Sequence, residues 1–352
     1  MSHNFTRLGL GLMLVLGASL SPAFATFHLM VVQEVFPGTA SAPPAQYVLL
    51  RMTGSGQNFL SGTFIDVQDA NGVVLGRFGT FDHNVANAGT LGCVYPNCPA
   101  IVIGTSAAQT LLGFSFDQIV DLQAGHVALS LPGGRLCFRS STGSAIDCVA
   151  WGNYTGVNTI PTPTINGCDA NFGAPAAALA LDHALTRITF NCASKENSTD
   201  FGVRFPHPIA NNGANANTDV DSDGLIKVLD CNDNDSTALY FPVEVSGDAV
   251  AAGNPTIISW DSQAMHSGSG VRYDIVGGLA ADLSASMSFS GATCVSADVN
   301  GTSFIDTRPA PAAGQILYYL IRAGSSCGEG TFGDSSLTPD PRDGLDAASP
   351  CL

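Results

Sequence analysis

Positive charge is what this chain has least of. Lysine and arginine together number 13 against 29 aspartates and glutamates, for a net charge of −16, and the only lysines are Lys195 and Lys227. That balance argues against nucleic acid or an anionic membrane surface as partner, since both select for clustered Lys and Arg. Glutamate is scarce as well, confined to Glu34, Glu196, Glu244 and Glu329, so a glycosidase-type carboxylate pair would have to come from aspartates. Histidines stand singly, at positions 3, 28, 83, 126, 183, 207 and 266, and no H-E-x-x-H occurs. The absence of C-x-x-C pairs and of a glycine-rich phosphate cradle sets zinc and nucleotide sites aside. Long apolar runs are missing beyond residue 25, so no transmembrane segment is expected in the mature chain.

What is present begins with a secretory signal. Arg7 precedes an apolar run over residues 8–20, and Ala23-x-Ala25 offers small residues for cleavage before Thr26. Cleavage removes the one charge in residues 1–25, Arg7, taking −16 to −17, and leaves 327 of 352 residues, enough for two folded domains. All ten cysteines lie beyond residue 25, as suits disulfides in an oxidising compartment, extracellular or periplasmic. Local spacing suggests Cys93 with Cys98, Cys137 with Cys148 and Cys168 with Cys192. Cys231, Cys294, Cys327 and Cys351 leave three connectivities open.

The densest chemistry lies in residues 219–235, D-V-D-S-D-G-L-I-K-V-L-D-C-N-D-N-D. Asp219, Asp221 and Asp223 alternate, Gly224 follows where a tight turn favours a residue without Cβ, and Asp230 falls twelfth, the spacing of an EF-hand-type calcium loop. Carboxylates this close repel one another unless a divalent cation neutralises them, and hard oxygen donors favour calcium. A solvated acidic linker is the competing reading, outweighed here by the alternation, the glycine and the second cluster. The flanking sequences are not helical, so a helix-loop-helix EF-hand is not expected. The string D-x-D-x-D-G, a short gap, then D-C-N-D-N-D resembles the metal-binding repeats of secreted bacterial proteins and, more distantly, thrombospondin type 3 repeats. Carried over, that resemblance makes Asp219, Asp221, Asp223 and Asp230 ligands of one ion, with Leu225 giving only its carbonyl. Asn232, Asp233 and Asp235 complete that ion's shell or hold a second.

Elsewhere short runs of Val, Ile, Phe and Leu between Gly, Asn, Pro and Ser clusters indicate an all-β chain. Strands are expected at 27–36, 46–52, 62–67, 73–78, 126–131, 136–139, 146–151 and 185–190, and short helices at 107–112 and 175–181. The pieces V-V-Q-E-V at 31–35, Q-Y-V-L-L-R at 46–51, F-L-S-G at 59–62 and C-V-A-W-G-N at 148–153 occur in order, followed by A-L-T-R at 184–187, Asp200-Phe201, Pro206, Pro208 and Asn211. Together they resemble the lamin-tail family, which implies an immunoglobulin-like sandwich with Trp151, Arg187 and Phe201 as packing residues. This copy departs from the family at Leu49, where an acidic residue is usual, and at the insertion around Pro96. T-I-I-S-W-D at 256–261, V-R-Y-D-I-V-G-G at 271–278 and I-L-Y-Y-L-I-R-A at 316–323 resemble strands B, C and F of a fibronectin type III-like sandwich. That places Trp260 in the core and puts Tyr318 and Tyr319 on opposite faces, one of them buried.

The fold expected is therefore all-β: two immunoglobulin-like β-sandwiches joined by a short Asp-rich calcium-binding loop, with residues 1–25 a signal peptide, 26–212 lamin-tail-like, 213–242 the calcium linker and 243–352 fibronectin type III-like. No catalytic constellation accompanies it. Gly324-x-Ser326-x-Gly328 matches the nucleophile-elbow string, but no histidine follows His266 to complete a triad. The expectation is a secreted, non-enzymatic calcium-binding protein with an extracellular protein or polysaccharide as partner. Two alternatives are a carbohydrate or cell-surface polymer module using Phe81, Tyr95, Tyr154 and Tyr240 as exposed aromatics, and a hydrolase with a deep cleft holding a histidine and carboxylates.

Overall fold

A computed structural model describes residues 29–86, 100–121, 123, 125–158, 173–188, 196–253, 255–333 and 340–351. The expected signal peptide, the Cys93–Cys98 and Cys168–Cys192 pairs, Tyr95 and Pro96 lie outside these residues. Within them the regular structure is mostly strand, gathered into four sheets.

The first half contributes β1 (Met30–Phe36), β2 (Tyr47–Met52), β3 (Phe64–Gln68), β4 (Val74–Thr80), β5 (Ile101–Gly104), helix α1 (Ser106–Leu112), β6 (Gln118–Ile119), β7 (Gly133–Arg139), β8 (Ala145–Gly152), β9 (Ala184–Arg187) and β10 (Phe201–Arg204). One sheet runs β10-β9-β1-β2-β5-β6 and the other β4-β3-β7-β8. Side chains alternate across a strand, so β1 and β2 send Val32, Val48 and Leu50 inward, where they meet Ile65, Phe138 and Trp151 of the opposing sheet. Their other face is also buried: Phe36, Tyr47 and Leu49 pack with Ala108 and Leu112 of α1. This second core explains leucine at position 49, where solvent exposure would have suited an acid.

Two expected elements did not form. Residues 126–131 make a single bridge, His126 to Arg77, and residues 175–181 a bridge from Ala176 to Trp151; both lie against existing strands, so their apolar residues are buried without regular structure of their own. Strands β5 and β10 were not anticipated, because four-residue stretches carry too little periodicity to read.

The two sheets are tied by a polar clamp. Asp147 of β8 accepts the Val32 N–H of β1 and the Arg187 Nη2 of β9, both at 2.7 Å, while Arg187 Nε donates to the Val32 carbonyl at 3.0 Å. The Arg187 guanidinium also lies 4.5 Å over the Phe201 ring. Burial pushes the Asp147 carboxyl up, against the pull of Arg187. The packing roles expected of Trp151, Arg187 and Phe201 are what the structure shows.

The second half contributes β11 (Ala249–Ala251), β12 (Thr256–Ser259), β13 (Arg272–Leu279), β14 (Thr293–Val299), β15 (Ser303–Asp306), β16 (Leu317–Ser325) and β17 (Gly328–Glu329). Sheet β11-β12-β15 and sheet β14-β13-β16-β17 enclose Ile258, Trp260, Tyr273, Ile275 and Ile321. The strands read as B, C and F are β12, β13 and β16, and Trp260 is in the core as expected. Tyr318 and Tyr319 do face opposite ways, but both are half-buried: Tyr319 packs on the central cluster and Tyr318 on a second one with Val276, Phe332 and Leu345. Disulfides join Cys137 to Cys148, Cys231 to Cys327 and Cys294 to Cys351, which settles the connectivity left open for the last four. No described helix is long and apolar enough to cross a membrane.

One buried and one partly exposed ion pair contribute to stability. Asp147→Ala strands the Arg187 charge and should cost about 3–5 kcal/mol, whereas Asp147→Leu with Arg187→Met should recover most of it, read from guanidinium denaturation midpoints. Asp306 is held at about 2, chiefly by the Arg308 side chain, with the Arg308 N–H and the Tyr319 hydroxyl also donating to it. A carboxyl whose folded pKa is depressed stabilises above its unfolded value of 3.8 and loses that contribution as pH falls toward about 2. Arg308 is 38% exposed, so screening leaves about 1 kcal/mol, and the deficit of Asp306→Asn near neutral pH should close between about pH 4 and pH 2.

Candidate metal centre

The aspartate-rich segment folds on its own carboxylates. Asp219 accepts the Ser222 N–H at 2.7 Å and the Gly224 N–H at 3.1 Å. Asp221 accepts from Asp223 N, Asp223 from Leu225 N, and Asp230 from Asn232 N, in each case through Oδ1. These Asx turns let short polar side chains do what a helix or sheet ladder does elsewhere. Gly224, at φ +97°, supplies the left-handed residue expected of it.

The turns use both oxygens of Asp219 but only Oδ1 of Asp221, Asp223 and Asp230, whose Oδ2 atoms turn inward. Asp219, Asp221 and Asp223 each bring a carboxylate oxygen within 4.8 Å of the others. Oδ2 of Asp221, of Asp223 and of Asp230 is shut away from solvent, with no hydrogen-bond donor, and so is Oδ1 of Asn217. Enclosed acceptors without donors are costly, and charged ones most of all. The electrostatics record that cost: burial, then the charges of Asp221, Asp219 and Asp233, push Asp223 up, and burial, then Asp223, Asp221 and Asp233, push Asp230 up to about 6.

The other expected ligands are committed elsewhere. Asp233 accepts the Val220 N–H and pairs with Lys227 at 2.9 Å, which hold its carboxyl low. Asp235 accepts from the Ser326 and Thr237 hydroxyls, and Asn232 gives its amide N–H to Ser326 Oγ. The Leu225 side chain is fully buried and its N–H serves Asp223. Of the eight residues named from sequence, Asp219, Asp221, Asp223 and Asp230 bring their charges to face one another, Asn232, Asp233 and Asp235 brace the loop, and Leu225 is buried. Asn217 was missed, although it continues the every-second-residue alternation by one step.

The loop is anchored on both sides. Ile226, fully buried, and Leu229 enter the outer core of the six-stranded sheet beside Phe36, Tyr47 and Ala210. Cys231 is bonded to Cys327, in the hairpin between β16 and β17. Ser326 therefore sits in a strand-to-strand turn and braces Asp235, where a nucleophile elbow requires a strand-to-helix turn. Just beyond, Tyr240 stacks on His266 at 5.2 Å and 16°, and lies 6.3 Å from Phe205 and 6.1 Å from His183. Its hydroxyl donates to the Asp182 carbonyl. Burial, then the charges of Asp182, Asp223 and Asp230, push that hydroxyl's pKa upward, keeping it a donor. Asp182, at φ +69°, accepts the Ala40 N–H on Oδ1 and stands 3.5 Å from His266 through Oδ2.

The aromatic platform is corrected: Phe81, Tyr154 and Tyr240 are all buried, because each fills a gap between strands or halves. A cleft of about 630 Å³ does hold Ser106, Asp121 and His126. Its bonding is not that of a triad, since His126 Nδ1 faces the Phe78 carbonyl at 2.6 Å and Asp121 accepts the Ser106 N–H.

No protein-family model matches the chain, and no curated protein does. Among solved structures, a Fn3-like protein from Clostridium thermocellum is similar at 21% identity over 27% of this chain and 83% of its own, with a TM-score of 0.18. At that score the likeness carries no argument, and the β-sandwich description rests on the sheets themselves.

Tyr240→Phe should cost about 1 kcal/mol, for its hydroxyl, and Tyr240→Ala about 3–5 kcal/mol, for the ring. Thermal denaturation distinguishes them, and equal losses would mean that the ring packing between the halves is not what matters.

Proposed function

We propose that this is a secreted, non-enzymatic calcium-binding protein in which the ion stiffens the connection between two β-sandwiches that together serve an extracellular interaction or architectural role. The observation that carries the reading is the set of carboxylate oxygens on Asp221, Asp223 and Asp230, enclosed without a donor beside Asp219. Calcium suits this donor set better than a softer metal, because it takes six to eight oxygens in flexible geometry, side-chain and backbone alike. The residues that would hold it are Asp219, Asp221, Asp223 and Asp230, with Asn217 as the neutral oxygen. In its absence the charges repel; neutralised, they draw the loop tight, and binding free energy becomes folding free energy.

The resemblances to the lamin-tail family, to thrombospondin type 3 repeats and to fibronectin type III domains belong to this reading and support it from sequence. Three disulfides among the described residues are in keeping with secretion after cleavage near Ala25. The partner is an extracellular protein or polysaccharide. Net charge and the scarcity of lysine speak against nucleic acid.

Titration calorimetry and thermal melts with calcium or a chelator test the proposal, with solution scattering alongside. Calcium should raise the melting temperature and narrow the spread of inter-sandwich distances. Asp223→Asn should weaken binding by about tenfold or more, while Asp235→Asn, outside the inward set, should leave it within about threefold. Melting and scattering that ignore both calcium and chelator would sink the reading.

A further inference from the structure

The cleft beside α1 has a lining whose chemistry selects a ligand. It lies between the connection from β1 to β2, the start of α1, Asp121 and residues 126–131, and Pro37, Pro43, Pro44, Leu129, Leu131 and Leu181 form its apolar walls. Proline fixes its own φ, so these walls are shaped before anything binds and little ordering cost falls on the complex. A volume of about 630 Å³ is within the range of small-molecule sites.

The donors in the lining are largely spent. Gln46 gives Nε2 to the Pro37 carbonyl and takes the Leu129 N–H on Oε1. Thr105 donates its hydroxyl to the Pro44 carbonyl at 2.7 Å. His126 Nδ1 faces the Phe78 carbonyl, which can only accept, so the tautomer that makes this bond carries its proton on Nδ1 and offers Nε2 as an acceptor. Asp121, which is exposed, takes the Ser106 N–H on Oδ2 and has a second carboxyl oxygen able to accept; the Ser106 hydroxyl can turn either way. Neither lysine nor arginine is among the described lining residues, and the chain as a whole carries −16.

We propose that this cleft binds a small apolar amine, its hydrocarbon body against the prolines and leucines and its ammonium on the Asp121 carboxylate and His126 Nε2. An anion of the same shape meets Asp121 with no cation to offset it, and a neutral hydrocarbon leaves both acceptors unused. The site is independent of the aspartate loop and stands or falls apart from the calcium reading.

Cyclohexylmethylamine is the probe, with cyclohexylmethanol and cyclohexanecarboxylate as shape-matched controls, each titrated into the full chain by ligand-observed NMR and calorimetry. The amine should bind, the alcohol more weakly and the carboxylate not at all. Asp121→Asn keeps an acceptor for the Ser106 N–H and should weaken the amine about three- to tenfold. Ala128→Trp, at an exposed lining position, should block the cleft and abolish binding with an unchanged melting temperature. The proposal is overturned if the amine does not bind, if the three probes bind alike, or if the amine binds Ala128→Trp as well as it binds the parent.

Discussion

Like charges held within a few ångströms of one another in a half-buried loop are the constraint around which the connection between the two sandwiches is built. Left to themselves, Asp219, Asp221, Asp223 and Asp230 would drive residues 217–235 into an extended, solvated chain. Four devices oppose that: the Asx turns that spend one oxygen of each of Asp221, Asp223 and Asp230 on the backbone, Lys227 on Asp233, the burial of Ile226 and Leu229, and the Cys231–Cys327 bond. None of them gives the inward Oδ2 atoms a partner. The loop is folded by everything except the one interaction its carboxylates are arranged to make, which is the physical case for a cation.

The sandwiches solve the opposite problem, burying single charges in pairs. Asp147 and Arg187 cross between sheets in the first, and Asp274 and Arg322 join neighbouring strands β13 and β16 in the second, with Arg322 Nη2 2.9 Å from Asp274 and its guanidinium 4.8 Å over Phe332. Each arginine is therefore matched to a carboxylate and capped by a ring. In a chain this poor in cations, placing them so leaves few for the surface. The aspartate loop keeps one lysine, and that lysine serves Asp233 rather than the inward cluster.

Much of this was legible in the sequence, for a reason that differs by element. Strands β1, β2, β7 and β8 announced themselves because stretches such as Val31 to Val35 and Ile146 to Trp151 are rich in apolar and β-forming residues between turn-forming clusters, and the tight hairpin between Cys137 and Cys148 put its own disulfide within reach. The cluster of Asp219, Asp221 and Asp223 was visible because charges at fixed short spacing stand out in a sequence. Three things were not. Pairings of Cys231 with Cys327 and Cys294 with Cys351 depend on where two sheets bring distant residues, which spacing cannot encode. Phe81, Tyr154 and Tyr240 looked available because aromatic residues flanked by polar ones read as surface, whereas each is enclosed by residues far away in sequence. Asn217, whose Oδ1 is enclosed beside the cluster, was overlooked because a neutral amide does not stand out beside carboxylates.

The boundary at residue 212 marks a change of composition, and packing does not respect it. The outer face of β1 and β2 is finished by α1, by Ala210 and by Ile226 and Leu229, which come from beyond that boundary. The aspartate segment is thus the last piece of the first sandwich's second core and, through Cys231 and Ser326, an appendage of the second sandwich. A linker in that position does not merely space two bodies. Any force that pulls its carboxylates together also presses Ile226 into the first core and holds the Cys231 end against β16, so a local electrostatic event acts on both halves at once. The coupling requires no long pathway, because the ends of the charged segment are already the contacts that define how the halves meet.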